Sequence, residues 1–354
     1  MYQESAFSWY ITFLLNVFCQ RPKHLIYKYI YLQRLHTFRE KEVREIIKNV
    51  MKKTYHLCLS AGDEVLFRDT EDYNRGFNSL SLALYGTGST GLVESFMSNH
   101  CHLMVQTEDP VGLMHMFRQP YSKFFNCKYE RSGALGEKSH FSMEVVGIHH
   151  MLAAASYVLR NALHHGIVPI PYAYEHCSVN AIFQKEMGKK PEEHLLPEKS
   201  FYRYIGKRAE YPSHYRMSSK GVFLRESVLD IVQVENMYLT PRTFDYYMAR
   251  RTGEDWTKEQ EKDQNGRPAV RLEDIEDGIK GDSIQKMLIN ETGKNDYRRI
   301  SDIDLCRLID TEIISRYGKT SVYHLSSTEK KIIAEQLYKQ FRAGREQITR
   351  CLAM

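Results

Sequence analysis

The chain has 354 residues, 42% of them hydrophobic and 26% charged, with a net charge of +5. That balance excludes collagen-like, mucin-like and wholly disordered chains, and the length suggests about two to three domains. The mild positive charge is compatible with a nucleic-acid partner without requiring one. The seven cysteines contain no Cys-x-x-Cys pair, which argues against a zinc ribbon or disulfide scaffold and fits a reducing cytoplasm.

In chain order, the first apolar stretch runs from Phe7 to Phe18. It is short of the roughly 20 residues that span a bilayer, and it lacks the basic start and small-residue cleavage site of a signal peptide. It reads as a buried or frayed helix. A basic patch from Arg21 to Lys28 and an amphipathic helix to Val50 follow. Residues 1–52 are taken as an N-terminal extension, and Met51 is an alternative translation start.

Residues 53–183 read as an α+β unit. KTYHLCLS alternates like a strand, and Asp69 or Thr70 can cap a helix to Leu84. Leu92 to Ser98 and His100 to Thr107 read as strands joined by a tight turn at Ser98-Asn99. A helix over 111–129 should be kinked at Pro120. A strand over 141–148 and a helix from His149 to His165, ended by Gly166, complete the unit. The order predicts an antiparallel sheet with helices on its faces. Residues 184–290 read as a polar connection, solvated over Glu254 to Asp282. Residues 291–354 return to helical periodicity, with capping signals at Ser301 and Ser326. Their last two helices, separated by Arg342-Ala343-Gly344, read as a partial helix-turn-helix, with Ile332, Ile333, Leu337 and Phe341 as an apolar face on the first.

Chemistry concentrates in two places. On a strand, His100 and His102 share a face while Cys101, Leu103 and Val105 point the other way. Two such imidazoles can chelate a divalent ion. With fifteen histidines, about 0.6 His-x-His pairs arise by chance, and two surface histidines on an edge strand remain an alternative. In SYVLRNALHHG, Leu152, Ala155, Leu159 and Ala162 form an apolar stripe, and Tyr157 and Asn161 stack on a face about 200° round from it. A boundary tyrosine is the alternative there. Together the two places suggest a tyrosine hydroxyl that attacks a phosphodiester, beside a metal held by two histidines and an amide oxygen. Such a set suits Mg2+ or Mn2+.

HCHLMVQT followed by YVLRNALHHGIV resembles the HUH-type single-strand tyrosine transposases, specifically the REP-associated and insertion-sequence-200-like transposases. The FMSNH lead-in and the Gly133 to Gly136 loop add to the likeness, which covers about residues 53–183. The resemblance implies His100, His102 and Asn161 as metal ligands and Tyr157 as the nucleophile. Cys101 stands at the hydrophobic position of the pair, and Asn161-Ala162-Leu163 replaces an Asn-Pro-Val run, so the helix should continue to His165. The implied protein is a DNA-cleaving and rejoining enzyme, monomeric or homodimeric, cytoplasmic at the nucleoid, with no membrane contact. It would act on single-stranded DNA beside hairpins. An HUH replication or mobilisation nuclease, or a DNA-binding protein that no longer cuts, are the alternatives. Lys123, Lys128, Arg131, Lys138 and Arg160 could hold phosphates, and Tyr121 and Tyr129 could stack bases. His164 and His165 suit the negative end of the helix dipole.

Overall fold

Strand β1 (Lys53–Ser60) follows from alternation: Leu57 and Leu59 point to one side, while His56, Cys58 and Ser60 share the other. Helix α1 (Thr70–Gly86) starts at an Asp69 cap. The Asp72 amide donates to Asp69 Oδ1 at 3.0 Å and the Asp69 amide donates back to Asp72 Oδ2 at 3.3 Å. Strands β2 (Thr90–Phe96) and β3 (His100–Thr107) form a hairpin about Ser98-Asn99, closed by the Met97 amide donating to the His100 carbonyl at 2.7 Å. Helix α2 (Pro110–Lys128) runs as one element through Pro120, at the loss of the hydrogen bond that the Met116 carbonyl would accept. Strand β4 (Phe141–Glu144) is shorter than expected, because Gly147, at φ 81°, turns the chain into helix α3 (Ile148–Leu159). The computed structural model describes residues 52–190, 194–249, 300–341 and 343–354, so the expectations for residues 1–51 and for Glu254 to Asp282 lie outside the described residues.

The four strands form an antiparallel sheet in the order β2-β3-β1-β4. β3 is therefore an interior strand, not the edge strand that surface histidines would need. Register decides the faces. Phe96 pairs with Cys101, and its ring meets Phe117 of α2 edge-on at 6.1 Å, so α1 and α2 pack on the Cys101 side. Ser95 and Cys58 pair with His102, so the opposite face carries the histidines. Helix α3 covers that face with the small buried residues Ala153, Ala154 and Ala155, which let its backbone approach closely. The expected helix to His165 breaks at Arg160, whose amide is shared among the Ser156, Tyr157 and Val158 carbonyls. A short α4 (Asn161–His164) then resumes the turn.

The stretch read as a polar connection is apolar where it counts. It holds α5 (Tyr202–Ile205), α6 (Arg225–Val228), α7 (Ile231–Tyr238) and α8 (Pro241–Ala249), and Val234, Tyr238 and Phe244 from these helices, with Phe201, Met217 and Phe223 from the segments around them, join the same core as the sheet. Ser156 of α3 and Tyr238 share a hydrogen bond at 2.9 Å.

A second core lies under α9 (Asp302–Leu308), α10 (Ser327–Phe341) and α11 (Arg345–Cys351). Ser301 and Ser326 cap α9 and α10 as expected. Ile333 and Leu337 are buried, but Ile332 is 55% exposed and lies off the apolar face. Helix α11 buries Gln347, Ile348, Arg350 and Cys351, so those side chains are packed inward rather than presented for groove reading. Among the described residues no helix is long and apolar enough to cross a membrane, and the described cysteines are free.

Candidate active site

Sheet register and α3 bring four sequence-selected residues together. His100 and His102 project from one face of β3, Tyr157 lies on α3 above them, and Asn161 sits just past the break at Arg160. The Tyr157 ring meets His102 edge-on with centroids 5.3 Å apart. His100 Nε2 lies 3.0 Å from Asn161 Oδ1. The break in the helix does not separate Tyr157 from Asn161, because α4 resumes within one residue. His100, His102 and Asn161 are at most 1% exposed, and Tyr157 is 8% exposed.

The hydrogen bonding of His100 contains a conflict. Asn99 Nδ2 donates to the Gly62 carbonyl at 3.1 Å, which turns Asn99 Oδ1 toward His100 Nδ1 at 2.9 Å. His100 thus sits between two amide oxygens, both acceptors. Burial pushes its pKa down to about 4, so near neutral pH the ring carries one hydrogen for two acceptors. With that hydrogen on Nδ1, Nε2 and Asn161 Oδ1 meet lone pair to lone pair, unless the Asn161 amide, whose Nδ2 has no hydrogen-bond partner, turns over and donates to Nε2. His102 Nε2 is likewise buried with no hydrogen-bond partner. The amide oxygen is a donor of the type that Mg2+ or Mn2+ takes, and the two imidazole nitrogens are donors that suit other first-row divalent ions as well. Among the described residues no group of three or more His, Cys, Asp or Glu is arranged to hold a metal. Cys101 is across the sheet, and burial pushes its thiol up to about 12, so it is no thiolate ligand.

One histidine of this region escaped sequence reasoning and another was given a different role. His56, fully buried on β1, places Nε2 2.9 Å from His102 Nδ1. The available signal was the alternation of KTYHLCLS, which puts His56 on the face shared with Cys58. His165, expected to meet the helix dipole as a cation, is 6% exposed, with its ring 5.1 Å from His100. Burial first, then His100, His164 and Arg350, hold its pKa well below 6.5, so it is neutral there.

The residues expected to bind DNA are not gathered at this site. Tyr121, Lys123, Lys128 and Tyr129 belong to α2 and its cap, on the Cys101 side of the sheet. Tyr121 is 2% exposed and donates its hydroxyl to the Leu66 carbonyl; Tyr129 donates to Asp72 Oδ2 at 2.8 Å. Neither ring offers a face to a base. Lys128 is held by Asp69, Glu71 and Asp72 at 2.7 to 3.0 Å, and Arg131 by Glu64 at 2.9 Å. Arg160 is 3% exposed at the helix break. Lys123 and Lys138 are exposed.

The buried histidines predict an acid-sensitive fold. Burial, as the largest cause in each, lowers the pKa of His56 and His176 to about 3 and of His100 to about 4, and holds those of His102 and His165 well below 6.5. The unfolded chain takes up these protons near pH 6.5, so between there and about pH 3 it binds more protons than the folded chain. The stability is complete above pH 6.5 and is lost as pH falls through that window, by about 3 kcal/mol for His100 alone. Urea denaturation in chelator should show the loss between pH 6.5 and 5, before most carboxylates titrate. A flat profile there would contradict neutral burial.

No protein-family model matches the sequence, and no curated protein matches it. Among solved structures the chain is similar to a REP-associated tyrosine transposase bound to a REP hairpin. The likeness is distant, with 10% sequence identity and a TM-score of 0.33, and it covers 39% of this chain and 82% of that chain.

Proposed function

We propose that the chain is a divalent-metal-dependent, single-strand DNA endonuclease and strand transferase that cuts beside hairpins. The observation that carries this reading is the 3.0 Å approach of His100 Nε2 to Asn161 Oδ1 beside the neighbouring His102 ring, whose Nε2 is partnerless and which the Tyr157 ring meets edge-on. His100, His102 and Asn161 would hold the ion. The chemistry supplied by Mg2+ or Mn2+ held there is polarisation of the scissile phosphate and screening of its charge. The Tyr157 oxygen bonds to phosphorus and gives up its proton, the bond to the 3′-oxygen breaks, and that oxygen leaves as a free 3′-hydroxyl. The product is a 5′-phosphotyrosine, which a 3′-hydroxyl can attack in turn to rejoin strands. Lys123 and Lys138 are the exposed cations of the expected set, open to phosphate contacts elsewhere on the surface.

The test is incubation with hairpin-bearing single strands and Mn2+, followed by detection of a covalent protein–DNA adduct. His100→Ala and His102→Ala should each lower Mn2+ affinity severely, since two protein ligands would remain; calorimetry showing both unchanged would remove the metal site. The burial of Tyr157 favours a second reading, a DNA-binding protein that no longer cuts, and hairpin binding without an adduct would support it.

The reading also fixes substrate form. A flexible single strand can bend to present its backbone to Tyr157 at little cost, whereas a duplex of about 50 nm persistence length would have to be deformed. Charge density alone would favour the duplex, but a net +5 is too little for that to dominate. Cleavage of one sequence in both forms at matched salt should be confined to the single strand. Equal rates would favour a general nuclease instead.

A further inference from the structure

We infer that His56 is a positioning residue for His102: it accepts the hydrogen on His102 Nδ1 and so leaves His102 Nε2 as the bare nitrogen that faces the ion. This rests on the metal reading of the site and adds a residue to it.

The geometry comes from adjacent strands. Cys58 of β1 pairs with His102 of β3, and His56, two residues along β1, shares the Cys58 face. Its ring lies edge to edge with that of His102, within 23° of coplanar and with centroids 5.1 Å apart. The Nε2 to Nδ1 distance is 2.9 Å, and both side chains are fully buried. Phe141 meets His56 edge-on at 5.7 Å and Tyr157 does so at 6.1 Å, which confines the ring from two further directions.

Two neutral imidazoles joined in this way share one hydrogen in the contact, and it can belong to either ring. If it belongs to His102 Nδ1, His102 Nε2 is a lone pair and His56 carries its own hydrogen on Nδ1. If it belongs to His56 Nε2, His102 carries its hydrogen on Nε2 and cannot ligate. The outer atoms, His56 Nδ1 and His102 Nε2, are both buried and without a hydrogen-bond partner, so nothing else in the pair decides between the two arrangements. An ion at His102 Nε2 selects the first, and His56 is the acceptor that this arrangement needs. Asn99 Oδ1 does the same for His100, accepting from its Nδ1. Both ligands are therefore held through Nδ1, the outer-shell support typical of metal-bound histidine.

The experiment uses the full chain. His56→Leu keeps a buried apolar side chain and removes the acceptor, while His56→Gln retains an amide oxygen able to accept. Calorimetric Mn2+ affinity should fall about 10- to 100-fold in His56→Leu and recover most of the way in His56→Gln. A leucine variant that binds Mn2+ like the wild type, while His102→Ala has lost it, overturns the role of His56 and leaves the metal site standing. If His102→Ala also binds like the wild type, the metal reading itself fails. A glutamine variant no better than leucine would reduce His56 to packing and overturn the inference. Independently of any variant, nitrogen-15 NMR of the wild type in Mg2+ should find the His102 hydrogen on Nδ1. A hydrogen on Nε2 would refute the assignment.

Discussion

Replacing Tyr157 with Phe is expected to abolish the covalent DNA adduct while the protein stays folded and still binds hairpin-bearing single strands. The ring packs against His102, His164 and His56 at centroid distances of 5.3, 5.8 and 6.1 Å, and phenylalanine keeps all of those contacts. What is lost is the oxygen that would bond to phosphorus. Removing a nucleophile costs at least about 10³-fold in rate, whereas a lost hydroxyl hydrogen bond costs about 1 kcal/mol of stability. The two readouts are therefore well separated. Wild-type cleavage by the variant would remove Tyr157 from the chemistry. Lost cleavage together with lost DNA binding would point to a structural tyrosine.

Replacing Asp302 with Ala should destabilise the fold by about 3 kcal/mol or more, and should weaken Mn2+ binding as well. Asp302 Oδ2 accepts from Arg350 Nε at 2.9 Å and from the Ser98 hydroxyl at 2.6 Å. The side chains of Arg350 and Asp302 are 1% and 6% exposed, so truncating the acid leaves a guanidinium charge out of water without its carboxylate. Ser98 belongs to the turn that delivers Asn99 and His100, and its carbonyl accepts from the Leu66 and Phe67 amides at 2.7 and 3.0 Å. The C-terminal core thereby clamps the loop that aims a proposed ligand. Urea denaturation gives the stability and calorimetry the affinity. A stability change under about 1 kcal/mol would show that the pair is dispensable.

The candidate site was partly legible because its logic is local. Alternation within HCHLMVQT puts two imidazoles on one face whatever surrounds the strand, and the spacing of Tyr157 and Asn161 survives even a helix break at Arg160. His56 was not legible. Its role depends on Cys58 pairing with His102, 44 positions further along the chain, and a one-residue slip of that register would turn it to the other face.

What the sequence determined by itself is the set of features decided within a few residues of backbone: the alternating strands, the Ser98-Asn99 hairpin turn, and the helix starts at Asp69, Ser301 and Ser326, where a side chain satisfies amides one turn away. What only the tertiary structure decided is which charges and rings remain available. Lys128 looked free for phosphate until folding set Asp69 and Asp72 beside it, and Tyr121 looked like a stacking surface until α2 packed on the Cys101 face. Residues 201–248 look polar on average, yet Tyr238 and Phe244 lie in the core beside α3. The physical reason is range. Local hydrogen bonding and periodicity are written in neighbouring residues, whereas burial and ion pairing are properties of partners tens to hundreds of positions away, fixed when the sheet chooses its register and each helix its face.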